Sequence, residues 1–148
     1  MDATFLRPLI EQNQRTCKYA FGEVSEANQS WRLNPETASA GFILRHTGEI
    51  MHLLMSLMGE PTKVKNTTMG FEDQGQGAEV SASRNLVHSG YEKLYLLADQ
   101  KDAAWWDEVV DTSFFGPIQR IRLFGHVLNH NAYHAGQIGL TLKRHQAK

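Results

Sequence analysis

The spacing of apolar positions divides the chain into four helical stretches. The first runs from about Thr4 to Val24, where Phe5, Leu6, Leu9, Ile10, Cys17 and Phe21 fall near one side and Pro8 is tolerated in the opening turns. A polar stretch from Ser25 to Asn34 follows, and Asn34-Pro35-Glu36 reads as a turn leading into a helix start. The second helix, from about Glu36 to Met58, has the clearest period: Ile43, Leu44, Met51, Leu54, Met55 and Met58 recur at three and four, and Gly59 then Pro61 stops it. Residues 61–77, rich in Thr, Gly, Asp and Gln, read as a long loop. The third helix, from about Ala78 to Asp99, carries Val80, Leu86, Val87, Tyr91, Leu94, Tyr95 and Leu97. A connection from Gln100 to Gly116 holds Trp105-Trp106 and Phe114-Phe115. The fourth helix starts near Pro117, a favoured first-turn residue, and runs to about Arg144. No stretch alternates in the manner of a strand, and no repeat or linker divides the chain. Four long amphipathic helices in 148 residues predict an all-α fold: one four-helix-bundle domain over residues 1–148 with long interhelical connections.

Composition narrows the function classes. With 41% hydrophobic residues the chain has material for a packed core and is not disordered. Fifteen Lys plus Arg against 16 Asp plus Glu gives a net charge of −1, which supplies none of the basic footprint a nucleic-acid partner requires. No apolar run approaches the roughly 20 residues needed to cross a bilayer, so no membrane partner is expected. Asp2 and Arg7 interrupt the N-terminal apolar residues, which do not read as a signal peptide. The single cysteine, Cys17, has no internal disulfide partner, and this suits a reducing, cytoplasmic setting.

Histidine is the unusual residue, with seven in the chain. The fourth helix holds His126-Val-Leu-Asn-His130-Asn-Ala-Tyr-His134, three imidazoles in one stripe. Two at i and i+4 can reach one metal ion, whereas the first and third are about 12 Å apart along the axis, so one of the outer two is a neighbour and not a ligand. On the second helix His46 sits among apolar positions, and His52 is about 240° further around, so only one of them faces the core. The Ile43/Leu44/Leu54 pattern slightly favours His46. The plain alternative is that these histidines are partly buried polar residues with hydrogen-bond partners and no metal.

The tail His126-Val-Leu-Asn-His130-Asn-Ala-Tyr-His134-Ala-Gly136-Gln137 resembles the signature of the DinB-like (DinB/YfiT) metalloprotein superfamily, an H-x3-H followed by a triplet ending in Gly-Gln. The segment Leu44-Arg-His46-Thr-Gly-Glu49 is similar to that family's first metal-ligand helix, and the length and helix order match over essentially the whole chain. The resemblance implies a four-helix bundle holding one divalent metal through His46, His130 and His134, with His126 lining the pocket or supporting a ligand. Ala135 departs from the arginine many members carry there, which removes the basis for an anion contact at that position.

Three neutral imidazoles leave an open coordination position and an uncancelled +2 charge, the arrangement of catalytic rather than structural sites. Ligand type alone separates the metals poorly; zinc or nickel is expected first, with iron as an alternative. Glu49, one turn beyond His46, is a candidate acceptor for a ligand N–H or a general base, set against a solvated surface glutamate. His126 is the other candidate catalytic group. Gln137 is a candidate hydrogen-bond partner of a ligand or substrate, and Asn129 and Asn131 read as ordinary helix residues. Glu49-Ile-Met-His52 matches half of a di-iron carboxylate site but has no second copy.

Family resemblance further implies metal-dependent transfer of a low-molecular-weight thiol, of the bacillithiol or glutathione kind, to a small-molecule substrate. The alternatives are hydrolysis by a metal-activated hydroxide and a non-catalytic metal-binding stress protein, whose open metal position a side chain would plug. Trp31, Trp105 and Trp106 are candidate walls of a substrate pocket. Trp105, Trp106, Phe114 and Phe115 together make more apolar surface than a small monomer exposes, which points to a homodimer.

Overall fold

The computed structural model describes residues 3–145. After one 3-10 turn, Ala3–Phe5, come α1 (Leu6–Glu23), α2 (Ala40–Leu57), α3 (Val80–Gln100), a short α4 (Ala103–Asp107), two strands β1 (Val109–Thr112) and β2 (Gly116–Gln119), and α5 (Arg120–Arg144). The fold is therefore mostly helical with a small two-stranded sheet. The four long helices appear where the apolar period places them.

Their packing follows from which faces are apolar. α2 packs against both α3 and α5, and α1 packs against the same two, so the four long helices close a ring. Leu44, Met51, Met55, Leu94, Leu123 and Ile138 meet inside it, each essentially inaccessible. With neighbours on both flanks, α2 is buried around most of its circumference, including Thr47, Glu49 and His52.

Three boundaries depart from the sequence reading. α2 begins at Ala40, not Glu36, because the Ser39 hydroxyl accepts from Phe42 N and caps it there, while Asn34 and Thr37 form a separate turn. The stretch expected to hold no strand contains an antiparallel hairpin pairing Val109 with Gln119 and Thr112 with Gly116. Pro117 lies in β2 instead of opening the last helix, and α5 starts three residues later. Gly116, with φ +63, supplies the left-handed residue at the base of the turn.

The long connection between α2 and α3 is pinned. Asp73 accepts from Ser39 N at 2.7 Å and pairs with Arg32 at 3.1 Å. Gly77 lies so close to Gly41 that an added Cβ would fall 2.0 Å from the Gly41 carbonyl carbon. Only glycine permits that approach, and it folds the connection back over the start of α2, bringing Thr67 and Thr68 to Glu49.

The tryptophans serve the packing. Trp106 is buried edge-on to Phe124 at 5.4 Å, Trp105 lies beneath the Arg120 guanidinium at 4.4 Å, and Trp31 stacks on His145 at 3.6 Å. Of the four aromatics on which the expectation of a homodimer rests, Phe114 and Phe115 are exposed, whereas Trp106 is buried and Trp105 half-buried, so the tryptophans do not supply the apolar surface expected of them. Among the described residues no helix is long and apolar enough to cross a membrane.

Candidate metal centre

His46 projects from α2 toward α5, which presents His130 and His134 one turn apart. Two ring nitrogens converge on a third: His46 Nε2 is 3.1 Å, and His134 Nε2 3.0 Å, from His130 Nε2. One ligand atom from each of the three residues lies within 4.8 Å of the others, a group that could hold a metal ion. All three side chains are half-buried.

The outer nitrogens fix the tautomers. Thr68 Oγ1 donates its one proton to Glu49 Oε2 at 2.8 Å, so at 3.1 Å from His46 Nδ1 it accepts from the ring N–H. His134 Nδ1 donates to Gln137 Oε1 at 2.6 Å. Both Nε2 atoms therefore carry lone pairs that face His130 Nε2. One proton on His130 Nε2 can satisfy only one of them, so the cluster has donor atoms that could hold a cation at its centre. This is the donor chemistry of a three-imidazole metal site whose ligands are oriented from outside.

Electrostatics act in the same direction. Burial, then the neighbouring His134, hold His46 down at about 4, although Glu49 opposes the shift. Burial, then His134, His46 and His126, hold His130 down at about 3. Burial lowers His134 as well, against its bond to Gln137. The imidazoles are thus neutral near pH 7, the state in which they bind metal.

Glu49 is 2% exposed, so the solvated-surface reading does not hold. Its carboxylate takes hydrogen bonds from Arg45 Nε at 2.6 Å, Thr67 N at 2.7 Å, Thr67 Oγ1 at 2.6 Å and Thr68 Oγ1 at 2.8 Å. Burial pushes its pKa up, but those bonds from Thr67, Arg45 and Thr68 together outweigh it and leave it below the usual range. Glu49 reaches the cluster through Thr68. Thr67 and Thr68 were invisible to the sequence reading because they lie in the loop and meet Glu49 only on folding.

The other candidates separate clearly. His126 is exposed, its ring 6.2 Å from that of His130 and 5.2 Å from that of Phe115. His52 corrects the expectation that only one α2 histidine faces inward with His46 favoured: it is 3% exposed, with Nε2 at 3.0 Å from both Leu86 O and Ser89 Oγ. Because α2 is flanked on two sides, its apolar period does not tell a ligand from a core residue. Asn131, expected to be ordinary, is fully buried, with Nδ2 at 3.3 Å from Asn13 Oδ1 and from Tyr91 Oη.

A cavity of about 540 Å³ opens onto the His46 and His134 rings, walled by Leu33, Ala38, Phe42, Ile43, Met69 and Leu140. None of the three tryptophans lines it, contrary to the pocket role considered for them. A larger groove of about 620 Å³ between α1 and α3 contains none of the three clustered histidines.

No family model and no curated protein matches the chain. A solved structure does: the crystal structure of a conserved protein from Enterococcus faecalis, 12% identical, covering 95% of this chain and 94% of that one with a TM-score of 0.71. At that identity the likeness shows the fold alone.

Proposed function

We propose that the chain is a mononuclear metal enzyme of the DinB-like type that transfers a low-molecular-weight thiol to an electrophilic small molecule. His46, His130 and His134 hold the ion, with zinc or nickel the first choice. A divalent ion there supplies Lewis acidity, which favours the thiolate, the nucleophilic form of a thiol, near neutral pH. The observation that carries the reading is the neutral, tautomer-fixed imidazole cluster facing a cavity whose other walls offer no acid or base.

The chain's own groups do the remaining work. Thr68 and Gln137 hold the two Nδ1–H groups, so that the lone pairs point inward. Apolar walls exclude water from the reacting atoms. The thiol sulfur attacks the electrophilic carbon, a carbon–sulfur bond forms, the leaving group departs with the bonding pair, and the thiol proton goes to solvent. That sequence needs no protein base. The hydrolase reading relies on Glu49 or His126 to shuttle a proton; Glu49 is engaged in four hydrogen bonds and neither residue lines the cavity, which favours transfer. Among the described residues no fourth His, Cys, Asp or Glu joins the three, which argues against a plugged, non-catalytic site.

The test is conjugation of 1-chloro-2,4-dinitrobenzene by zinc-reconstituted protein with glutathione, bacillithiol and an uncharged thiol in turn. Thioether formation that depends on metal and is lost in His130→Ala is expected. Metal-dependent cleavage of a nitrophenyl ester without any thiol, and no conjugation, would contradict the proposal.

A further inference from the structure

The cavity beside the three histidines has a property that the metal reading does not require. Of its walls, Leu33, Ala38, Phe42, Ile43, Met69 and Leu140 are apolar, and no Asp, Glu, Lys or Arg lines it. Its polar groups are nearly all committed: Thr37 Oγ1 bonds within its own turn, Thr68 Oγ1 bonds Glu49, and Gln137 Oε1 bonds His134. What remains is the Gln137 amide N–H₂ and the Thr141 hydroxyl, one helical turn apart, neither with a hydrogen-bond partner among the described residues.

Burying an ionised group against a wall with no opposite charge is costly, whereas burying methylenes is favourable in proportion to area. A free N–H₂ and a free hydroxyl suit a neutral carbonyl, amide or hydroxyl, which needs one donor or acceptor and no counter-ion. From these walls we infer that the cavity binds an uncharged, largely apolar molecule, an alkyl or aryl body with one neutral polar group, whose reacting end faces the His46 and His134 rings. This rests on the metal-site reading and assigns the cavity to the electrophile. The carboxylates of a glutathione-like thiol stay outside it.

The experiment is isothermal titration calorimetry of the zinc-loaded protein with a series of straight-chain alkyl hydroxamic acids from acetyl to octanoyl. An octanoyl-length probe ending in a carboxylate completes the series. At about 0.8 kcal/mol per buried methylene, the expected dissociation constant falls about fourfold with each added carbon until the cavity is full. The carboxylate-ended probe should bind at least tenfold more weakly than its methyl-ended counterpart. Leu140 is 52% exposed at the cavity mouth, so Leu140→Lys is compatible with folding and adds a counter-charge. That variant should narrow the gap between the two probes. Tight acetohydroxamate binding with no dependence on chain length, or a carboxylate-ended probe that binds equally well, overturns the cavity assignment and leaves the metal site standing. In metal-free His130→Ala the slope should persist while every hydroxamate binds at least tenfold more weakly; dissociation constants unchanged from those of the zinc-loaded protein would support the cavity and overturn the metal reading.

Discussion

Glu49 governs the cluster at one remove, through a single hydroxyl. Thr68 takes the His46 Nδ1–H and gives its own proton to the carboxylate, so replacing it by valine keeps the shape and removes the acceptor. Thr68→Val and Glu49→Gln should each weaken zinc binding by about 10–100-fold, measured by competition with a chromogenic chelator. Unchanged affinity in both would mean that His46 is held by packing alone. The pH response also belongs here. His46 at about 4, His130 at about 3 and a lowered His134 lie below the ordinary histidine value of about 6.5, so between those limits the unfolded chain binds more protons. Metal-free protein therefore keeps this stability in full above pH 6.5 or so and loses it as pH falls toward about 3, with the lowered Glu49 carboxyl adding to the loss as pH falls through its own pKa. The melting temperature of metal-free protein should fall across that window, and less steeply in His130→Ala. An equal fall in both would contradict the assignment of these shifts. At this scale the stripe on the last helix and the glutamate one turn past His46 were legible, since i and i+4 fix geometry without tertiary information. Thr68 was not, because it lies 19 residues beyond Glu49 and comes to it only when the loop closes.

At the scale of elements, helices with one apolar face declared themselves and the short hairpin did not. β1 and β2 are four residues each, too short for alternation to rise above chance, and Pro117 carries the same signal at a helix start as at a strand edge. α2 shows the converse difficulty, because a helix covered on two flanks places His46 and His52 among equally apolar neighbours. The turn of the hairpin is pinned by the buried Thr112 hydroxyl, which accepts from Phe115 N and donates to Gly116 O. An added Cβ at Gly116 meets nothing within 4 Å, so its cost would come only from the positive φ of +63. Gly116→Ala should lower unfolding free energy by about 1 kcal/mol in denaturant titration and leave zinc content unchanged. Loss of zinc in that variant would show that the hairpin supports the site.

Over the whole molecule, the ring of four helices buries its apolar residues without help from the histidines. Leu6, Ile10, Leu44, Met51, Leu94 and Leu123 are closed off from solvent by helix packing alone. Chelation should therefore lower the melting temperature and leave the helical circular dichroism at 25 °C intact. An ion at 100 times its dissociation constant contributes about 2.7 kcal/mol by mass action. Unfolding on chelation would make the metal a structural requirement. The claim on which the rest depends is that one ion sits among His46, His130 and His134 with a coordination position left open. X-ray absorption spectroscopy at the zinc edge of reconstituted protein tests it most directly. The account predicts one zinc per chain with three imidazole shells at about 2.0–2.1 Å, one or two light oxygen scatterers and no sulfur. A fourth imidazole or a sulfur shell, or a spectrum unchanged in His134→Ala, would contradict it.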